Sequence, residues 1–375
     1  MARYKLGEIF DLQMGKTPDR HNLDFWTNGS EPWISIADLS KCDKYIEKTA
    51  ELISQEAVKK SGIKLIPKDT VVMSFKLSIG KVAITPKEMY SNEAIMAFIN
   101  KGELQIEPTY LYYMLMQHDW DAGTNKAVMG KTLNKATLSQ IAVDIHSLAE
   151  QREIISVLDK ASAVITARRQ QLVELDNLIK ARFVELFGDP VTNSMGWETK
   201  TIKELASKIG SGATPKGGRE SYGTEGISLI RSMNVYNGRF EHKDLAHISD
   251  EQAEKLDNVT IEKDDVLLNI TGASVARCCV VPEDVIPARV NQHVCIIRCK
   301  DWISPEFMCN VLTDGNYQKH LWRIAGSGAT REAITKQQVE MLSIIMPPTE
   351  LQQQFSDFCR QVDKSKVVAQ FGRVA

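Results

Sequence analysis

Residues 148–187 read LAEQREIISVLDKASAVITARRQQLVELDNLIKARFVELF and contain neither proline nor glycine. Apolar residues fall at Ile154, Leu158, Ala161, Ile165, Leu172, Leu175, Ile179 and Leu186. Steps of three, four and seven between them are the spacing of a heptad seam. Arg168 and Arg182 lie on that seam and interrupt it. Gly188-Asp189-Pro190 ends the run, since glycine and proline past a helix end stop it. At 1.5 Å per residue the segment predicts a helix about 60 Å long. A helix of that length does not fit inside a small domain, so it connects domains or measures a distance. A seam this apolar also calls for a partner helix. Leu351, Phe355, Phe358 and Val362 repeat the spacing near the C-terminus and predict a second, shorter helix.

Either side of this helix the sequence repeats itself, with a period of about 200 residues. Leu6-Gly-Glu-Ile9 through Gly15-Lys16-Thr17-Pro18 matches Ile202-Lys-Glu-Leu205 through Gly212-Ala213-Thr214-Pro215. Ile53-Ser54-Gln55-Glu56 matches Ile248-Ser249-Asp250-Glu251, and Asn92 matches Asn291. Gly130-Lys131-Thr132 matches Gly328-Ala329-Thr330, and Thr137 matches Thr335. Each copy predicts a short helix (Leu6–Phe10; Ile202–Lys208), a Gly/Pro loop and a strand (Pro32–Ala37; Ile227–Arg231). Apolar strands follow, then a helix behind a proline and a closing strand. Strands and helices mixed without strict alternation indicate an α+β unit rather than a doubly wound sheet. The expected architecture is a tandem duplication: a globular unit at residues 1–147, a central helix at 148–190, a second unit at 191–347 and a shortened distal helix at 348–375. The two long helices are expected to run antiparallel and to hold the units apart.

The bulk composition describes an ordinary soluble chain. It has 375 residues, 43% hydrophobic and 25% charged, with a formal net charge of −2. No run approaches the length of a membrane span, and the start, MARYKLGEIF, has no apolar signal core. Seven cysteines without framework spacing indicate reduced thiols and a cytoplasmic setting. His293, Cys295 and Cys299 could suggest a metal cluster, but VCIIRC reads better as a strand, because zinc sites need four ligands at tighter spacing.

No catalytic constellation emerges. Gly15-Lys16-Thr17 and Gly130-Lys131-Thr132 lack the earlier glycine of a phosphate loop, having Phe10 and Asn125 there. Their lysines become Ala213 and Ala329 in the sister copy. Asp69 and Asp264-Asp265 open strands, where turn chemistry accounts for them. What remains are polar, glycine-containing loops at equivalent places in both units. The first carries Lys16, Thr17 and Arg20 against Thr214, Lys216 and Arg219. The second carries Lys76, Ser78 and Lys81 against Thr271, Ser274 and Arg277. The third carries Lys131, Thr132, Asn134 and Lys135 against Thr330 and Arg331, and a fourth has Arg231 and Asn234. Such side chains hydrogen-bond phosphates and base edges, although a lone loop lysine is ordinarily just solvated. The pattern carries more than any residue. The Gly and Thr framework recurs while the long polar side chains differ, as two readers of two different short sequences would, or as drift after duplication would.

With these features the chain resembles the specificity subunit of type I restriction–modification systems. The likeness rests on the two units, each opening with a LGEIF- or IKELA-like helix and a Gly-x-Thr-Pro loop. Each closes with a strand, a Gln/Glu-rich stretch (Leu148-Ala-Glu-Gln151; Pro347-Pro-Thr-Glu-Leu-Gln352) and a seamed helix. It covers nearly the whole chain. The resemblance implies that each unit is a target recognition domain reading one half of a bipartite, asymmetric site in double-stranded DNA. It implies that the helices set the half-site spacing and dock two adenine-specific DNA methyltransferase subunits, with restriction endonuclease/translocase subunits joining that core. It also implies that this chain is non-catalytic and holds no cofactor, S-adenosylmethionine, ATP and Mg²⁺ belonging to the partner subunits. The distal helix is short for the family: Phe371-Gly372 looks like Phe187-Gly188 with about four turns missing. An incomplete pair would dock the second methyltransferase weakly. Two other readings compete, a protein-binding adaptor without DNA preference and a degenerate NTPase using Lys16 or Lys131.

Overall fold

The structure is a computed structural model describing residues 1–76, 78–120, 133–215, 217–218, 222–326 and 332–371, with side chains described to residue 369. The chain divides into two compact units, residues 1–165 and 166–375, and the division falls inside the central helix.

In the first unit a four-stranded antiparallel sheet has the order Phe10–Met14, Ile95–Asn100, Val71–Ser74, Val82–Ile84. A three-stranded sheet sets Glu31–Ile34 between Glu51–Ile53, antiparallel, and Tyr90–Ser91, parallel. The second unit repeats both sheets in the same order. Ala206–Ser211, Val294–Cys299, Val266–Asn269 and Cys278–Val280 form one; Ala246–Ile248, Ile227–Ile230 and Ala288–Val290 form the other. The central strands are apolar on both faces because each sheet is covered twice, by helices on one side and by the smaller sheet's core on the other. Each unit is closed by an antiparallel strand pair, Ala2–Lys5 with Ala142–Ile145 and Glu198–Thr201 with Ser343–Met346.

Several boundaries differ from the sequence expectation. The opening helices are single turns, Leu6–Ile9 and Ile202–Leu205, and Phe10 and Ala206 already begin strands. The strand expected over Pro32–Ala37 stops at Ile34, because Ser35 caps a helix at Ile36–Lys41 and closes a capping box with Asp38. The helix Gly315–Gly326 in the second unit is absent from the sequence reading. Asp69 and Asp264 do sit in turns, both with positive φ (58° and 65°). Asp265 is different: it is fully buried and receives two hydrogen bonds from Arg298, at 2.8 and 2.9 Å.

The Gly-x-Thr-Pro loops are pressed against the same turn in both units. Gly15 N–H donates to the Ile95 carbonyl at 3.2 Å, and Lys16 N–H to the Ser91 carbonyl at 2.8 Å. Gly212 N–H donates to the Asn291 carbonyl at 3.2 Å. A Cβ on Gly15 would lie 2.2 Å from the Ser91 oxygen, and one on Gly212 1.8 Å from the Val290 oxygen. Only glycine permits this approach, so the threonine two residues on is carried to the edge of the small sheet.

The central helix runs from Leu148 to Phe187 and the distal helix from Thr349 to Phe371. Each starts with a buried glutamine. Gln151 accepts from Glu107 N–H at 3.0 Å and donates to the Gln105 and His146 carbonyls at 3.1 and 3.0 Å. Gln352 accepts from Ser304 N–H at 3.0 Å and donates to the Pro347 carbonyl at 2.9 Å. Both thereby cover the N-terminus of the proline-started helix before them, Pro108–Gln117 or Pro305–Thr313. Ile154 and Ile155 pack on the first unit's core. In the second unit the expected seam is anchored by aromatic rings. Phe183 and Phe187 are buried against Phe307 and Phe355, with centroids 4.8 to 5.9 Å apart. Ile179 and Leu186 pack half-buried against this cluster, and Leu172 and Leu175 are half-buried further back along the helix. Arg182, on the seam, lies over the Phe358 ring at 5.9 Å. Lys366 pairs with Asp176 at 2.8 Å, and Val362 is buried. Contacts at 355, 358 and 366 thus meet 183–187, 182 and 176 in turn, which makes the pair antiparallel. Residues 160–171 are exposed throughout, Ile165 included, so the seam is not covered along its whole length.

All seven cysteines are free thiols. Burial pushes Cys295, Cys299 and Cys359 up to about 12 and raises Cys278 and Cys279 further. No described helix is long and apolar enough to cross a membrane.

Gln352→Leu keeps the volume but strands the Ser304 N–H and the Pro347 carbonyl. It should lower stability by about 1–3 kcal/mol for each group left unpaired, read by chemical denaturation. Gly212→Ala should destabilise the second unit by about 1–3 kcal/mol, because backbone, not a flexible side chain, must yield. Limited proteolysis should then open that unit first.

Candidate nucleic-acid interface

In the first unit the first loop leaves its strand at Met14 and folds over the turn that follows Tyr90–Ser91. Thr17 Oγ1 donates to a carboxylate oxygen of Glu93, and Lys16 Nζ to the Ser61 carbonyl. Arg20 lies 3.7 Å from the Trp26 ring centre and 4.8 Å from that of Trp33, with its fork on Glu51. Two of its five N–H donors are engaged by Glu51 and the side chain remains about half exposed. Gly15-Lys16-Thr17 leads into a 3₁₀ turn, Leu23–Phe25, and not into the helix of a phosphate loop. The second loop approaches the same place. The Thr17 hydrogen bond holds the Glu93 carboxyl below its usual range, with Lys76 and Arg20 adding attraction. Ser78 N–H turns back onto the Lys76 carbonyl at 2.7 Å, and Lys81 Nζ reaches Ser40 Oγ. The third loop is tied to the second by Leu133 N–H on the Phe75 carbonyl at 3.2 Å. Asn134 caps the helix Lys135–Gln140, accepting from Thr137 N–H at 2.8 Å, and Lys135 is 3.7 Å from Asp11.

The second unit brings its loops together around a depression of about 930 Å³. Ser232, Met233, Tyr236, Thr271, Ser274, Arg277, His293 and Glu332 line it. Arg277 lies 4.4 Å over the Tyr236 ring, and Thr271 Oγ1 is bonded to His293 Nδ1. Gly272 N–H donates to the Glu332 carbonyl at 2.9 Å, joining second and third loops as in the first unit. Arg277 follows Ala276, whose φ is +70°; Lys81 follows Gly80, at +86°. The same left-handed step therefore presents a cation in both units, and alanine bears it in one of them. Thr214 Oγ1 donates to the Gln292 side-chain oxygen.

Not every expected residue presents its side chain. Asn234 is fully buried, and its amide donates to the Glu241 and Lys243 carbonyls at 2.9 and 3.4 Å, so it shapes the loop instead of facing a ligand. Arg231 donates to the Asp244 carbonyl and lies 5.4 Å from the Tyr222 ring. Lys131, Thr132, Lys216, Arg219, Thr330 and Arg331 lie outside the described residues. Conversely, His293 entered the sequence reading only beside Cys295 and Cys299, and Tyr236, Glu93 and Gln292 are unmarked in it. The last two were within reach, since each directly follows the repeated Asn92 or Asn291. Among the described residues no group of three His, Cys, Asp or Glu side chains is arranged to hold a metal ion. What the described loop residues assemble are exposed donors, acceptors and cations at a sheet edge, the Thr271–His293 pair among them.

Residues 1–176 and 195–369 each match the family described as type I restriction modification DNA specificity domain. The chain is 25% identical over 253 residues to the type I restriction enzyme MjaIX specificity subunit of Methanocaldococcus jannaschii, covering 62% of this chain and 58% of that one. It is 28% identical over 162 residues to the EcoR124I/EcoR124II specificity subunit of Escherichia coli, covering 41% and 39%. The matched part therefore spans less than two thirds of the length of these relatives. The fold resembles that of a type I restriction–modification S subunit from M. genitalium, with TM-score 0.55 at 13% identity over 98% of this chain and 91% of that one. It also resembles a chain solved in work on assembly and conformational transition of the type I R-M system, with TM-score 0.52 at 16% identity over 98% and 94%. By the two family matches, which together take in most of its length, the chain belongs to the type I restriction–modification DNA specificity family and carries the specificity domain twice.

Proposed function

We propose that this chain is the non-catalytic specificity subunit of a type I restriction–modification complex, each domain reading one half of a bipartite site in double-stranded DNA. The observation that carries the reading is the pairing of sameness and difference between the domains. Gly15 and Gly212, Thr17 and Thr214, and Asn92 and Asn291 keep one loop framework. The exposed side chains on that framework differ, as readers of different bases must. The seam residues and the exposed apolar side chains of Val157, Val164, Ile165 and Val173, spread around the central helix, suit the docking of two adenine-specific methyltransferase subunits on the long helices. Restriction endonuclease/translocase subunits complete the complex in this reading, and S-adenosylmethionine, ATP and Mg²⁺ belong to the partners. A cytoplasmic location fits contact with DNA and the reduced thiols. A net charge of −2 is compatible with DNA binding when partner subunits supply much of the phosphate contact. The length of the central helix sets the gap between the half-sites, which recur on one DNA face every 34–36 Å or so.

Mapping N6-methyladenine in a genome carrying this gene with its methyltransferase should reveal one gapped, two-part motif that vanishes with the gene. Arg277→Ala should relax one position in one half of that motif by about tenfold or more and leave the other half untouched. Simultaneous loss of both halves would contradict independent reading. Four residues inserted between Ala163 and Gln171 should change the gap and neither half; an unchanged gap would remove the helix from that role.

A further inference from the structure

One position is built on the same backbone frame in both domains and carries a different side chain in each. Asn92 and Asn291 each donate their N–H to the end of the small sheet's central strand, at the Ile34 and Ile230 carbonyls, 3.0 and 3.1 Å away. Each side chain then accepts from the N–H two residues on, Ala94 or His293, both at 3.0 Å. The residue between is thereby pushed outward, and it is exposed in both domains: Glu93 in the first, Gln292 in the second. The threonine of the Gly-x-Thr-Pro loop then fixes that side chain, Thr17 on Glu93 and Thr214 on the Gln292 oxygen, while one N–H of the Gln292 amide meets His293 Nε2 at 3.2 Å and leaves the other N–H to a ligand.

A glutamate here is unfavourable for phosphate binding, because like charges repel across a short distance. Its environment nevertheless favours the ionised form against the cost of burial: the Thr17 hydroxyl stabilises the carboxylate first, then the Glu93 backbone N–H, then Lys76 and Arg20. An ionised carboxylate only accepts hydrogen bonds, whereas an amide both donates and accepts. In the major groove, cytosine offers the N4 amino donor and adenine a donor–acceptor pair at N6 and N7.

Building on the specificity-subunit reading, we infer that Glu93 and Gln292 are equivalent base-reading positions, Glu93 accepting from the N4 amino group of a cytosine and Gln292 pairing with the N6/N7 edge of an adenine. The threonine hydroxyl holds each side chain in place before DNA arrives, so little rotamer freedom is lost on contact. The carboxylate also rejects the guanine and thymine carbonyl oxygens in the major groove, which a free lysine would accept.

The test is the methylation motif given by the full complex with the wild-type chain, Glu93→Gln and Gln292→Glu. Glu93→Gln should shift one position of one half-motif from cytosine toward adenine, by about tenfold or more in relative methylation. Gln292→Glu should make the reverse shift in the other half. Thr17→Val, which releases the carboxylate, should blur the Glu93 position without choosing a new base. A wild-type motif unchanged in the variants would overturn the assignment, as would loss of all methylation by variants with wild-type thermal unfolding. Absence of any gapped motif from the wild-type complex would instead strike the specificity-subunit reading itself.

Discussion

Two buried amides hold the architecture together. Gln151 and Gln352 each sit where a closing strand turns into a long helix, and each satisfies backbone groups of its own domain. A carboxylate there could not donate to the carbonyls, and an aliphatic side chain would leave them stranded in the interior. The first turn of each long helix is therefore tied to the domain that precedes it. In the second unit the Phe183–Phe187–Phe307–Phe355 cluster adds a broad apolar contact to that fixed point.

The duplication separates what folds the chain from what differs between its halves. Both domains keep the sheet order, the glycine that must lie against a carbonyl, and the left-handed residue before a cation. These are constraints of backbone geometry, with few residue types able to meet them. Exposed loop side chains face no such constraint, so they can change without cost to the fold.

Much of this was legible in the sequence because it is written in periodicity and punctuation. The forty-residue run without Gly or Pro, the repeat and the α+β composition each follow from short-range patterns. The failures have physical causes too. Phe183 and Phe187 escaped the seam because leucine and isoleucine set its phase, whereas ring size decided the packing. The closing strands Ala2–Lys5 and Glu198–Thr201 have few buried residues and hence no alternation to read. In the loops, residue type says little about what a side chain touches. Asn234 is turned inward onto the Glu241 and Lys243 carbonyls, and Arg20 stacks on Trp26 with its fork on Glu51. The sequence likewise gives no sign of the threonine and cations around Glu93.

The distribution of thiols gives the two domains very different chemical visibility. Six of the seven lie in the second unit, mostly in its core, and Cys42, half-buried, is the one in the first. Burial keeps Cys278, Cys279, Cys295 and Cys359 protonated, and a protonated thiol is a poor nucleophile. An alkylating reagent therefore reaches them only when the second domain opens. Their rate of labelling is a clock for the opening of that domain alone, so the two repeats can be timed separately in one intact chain.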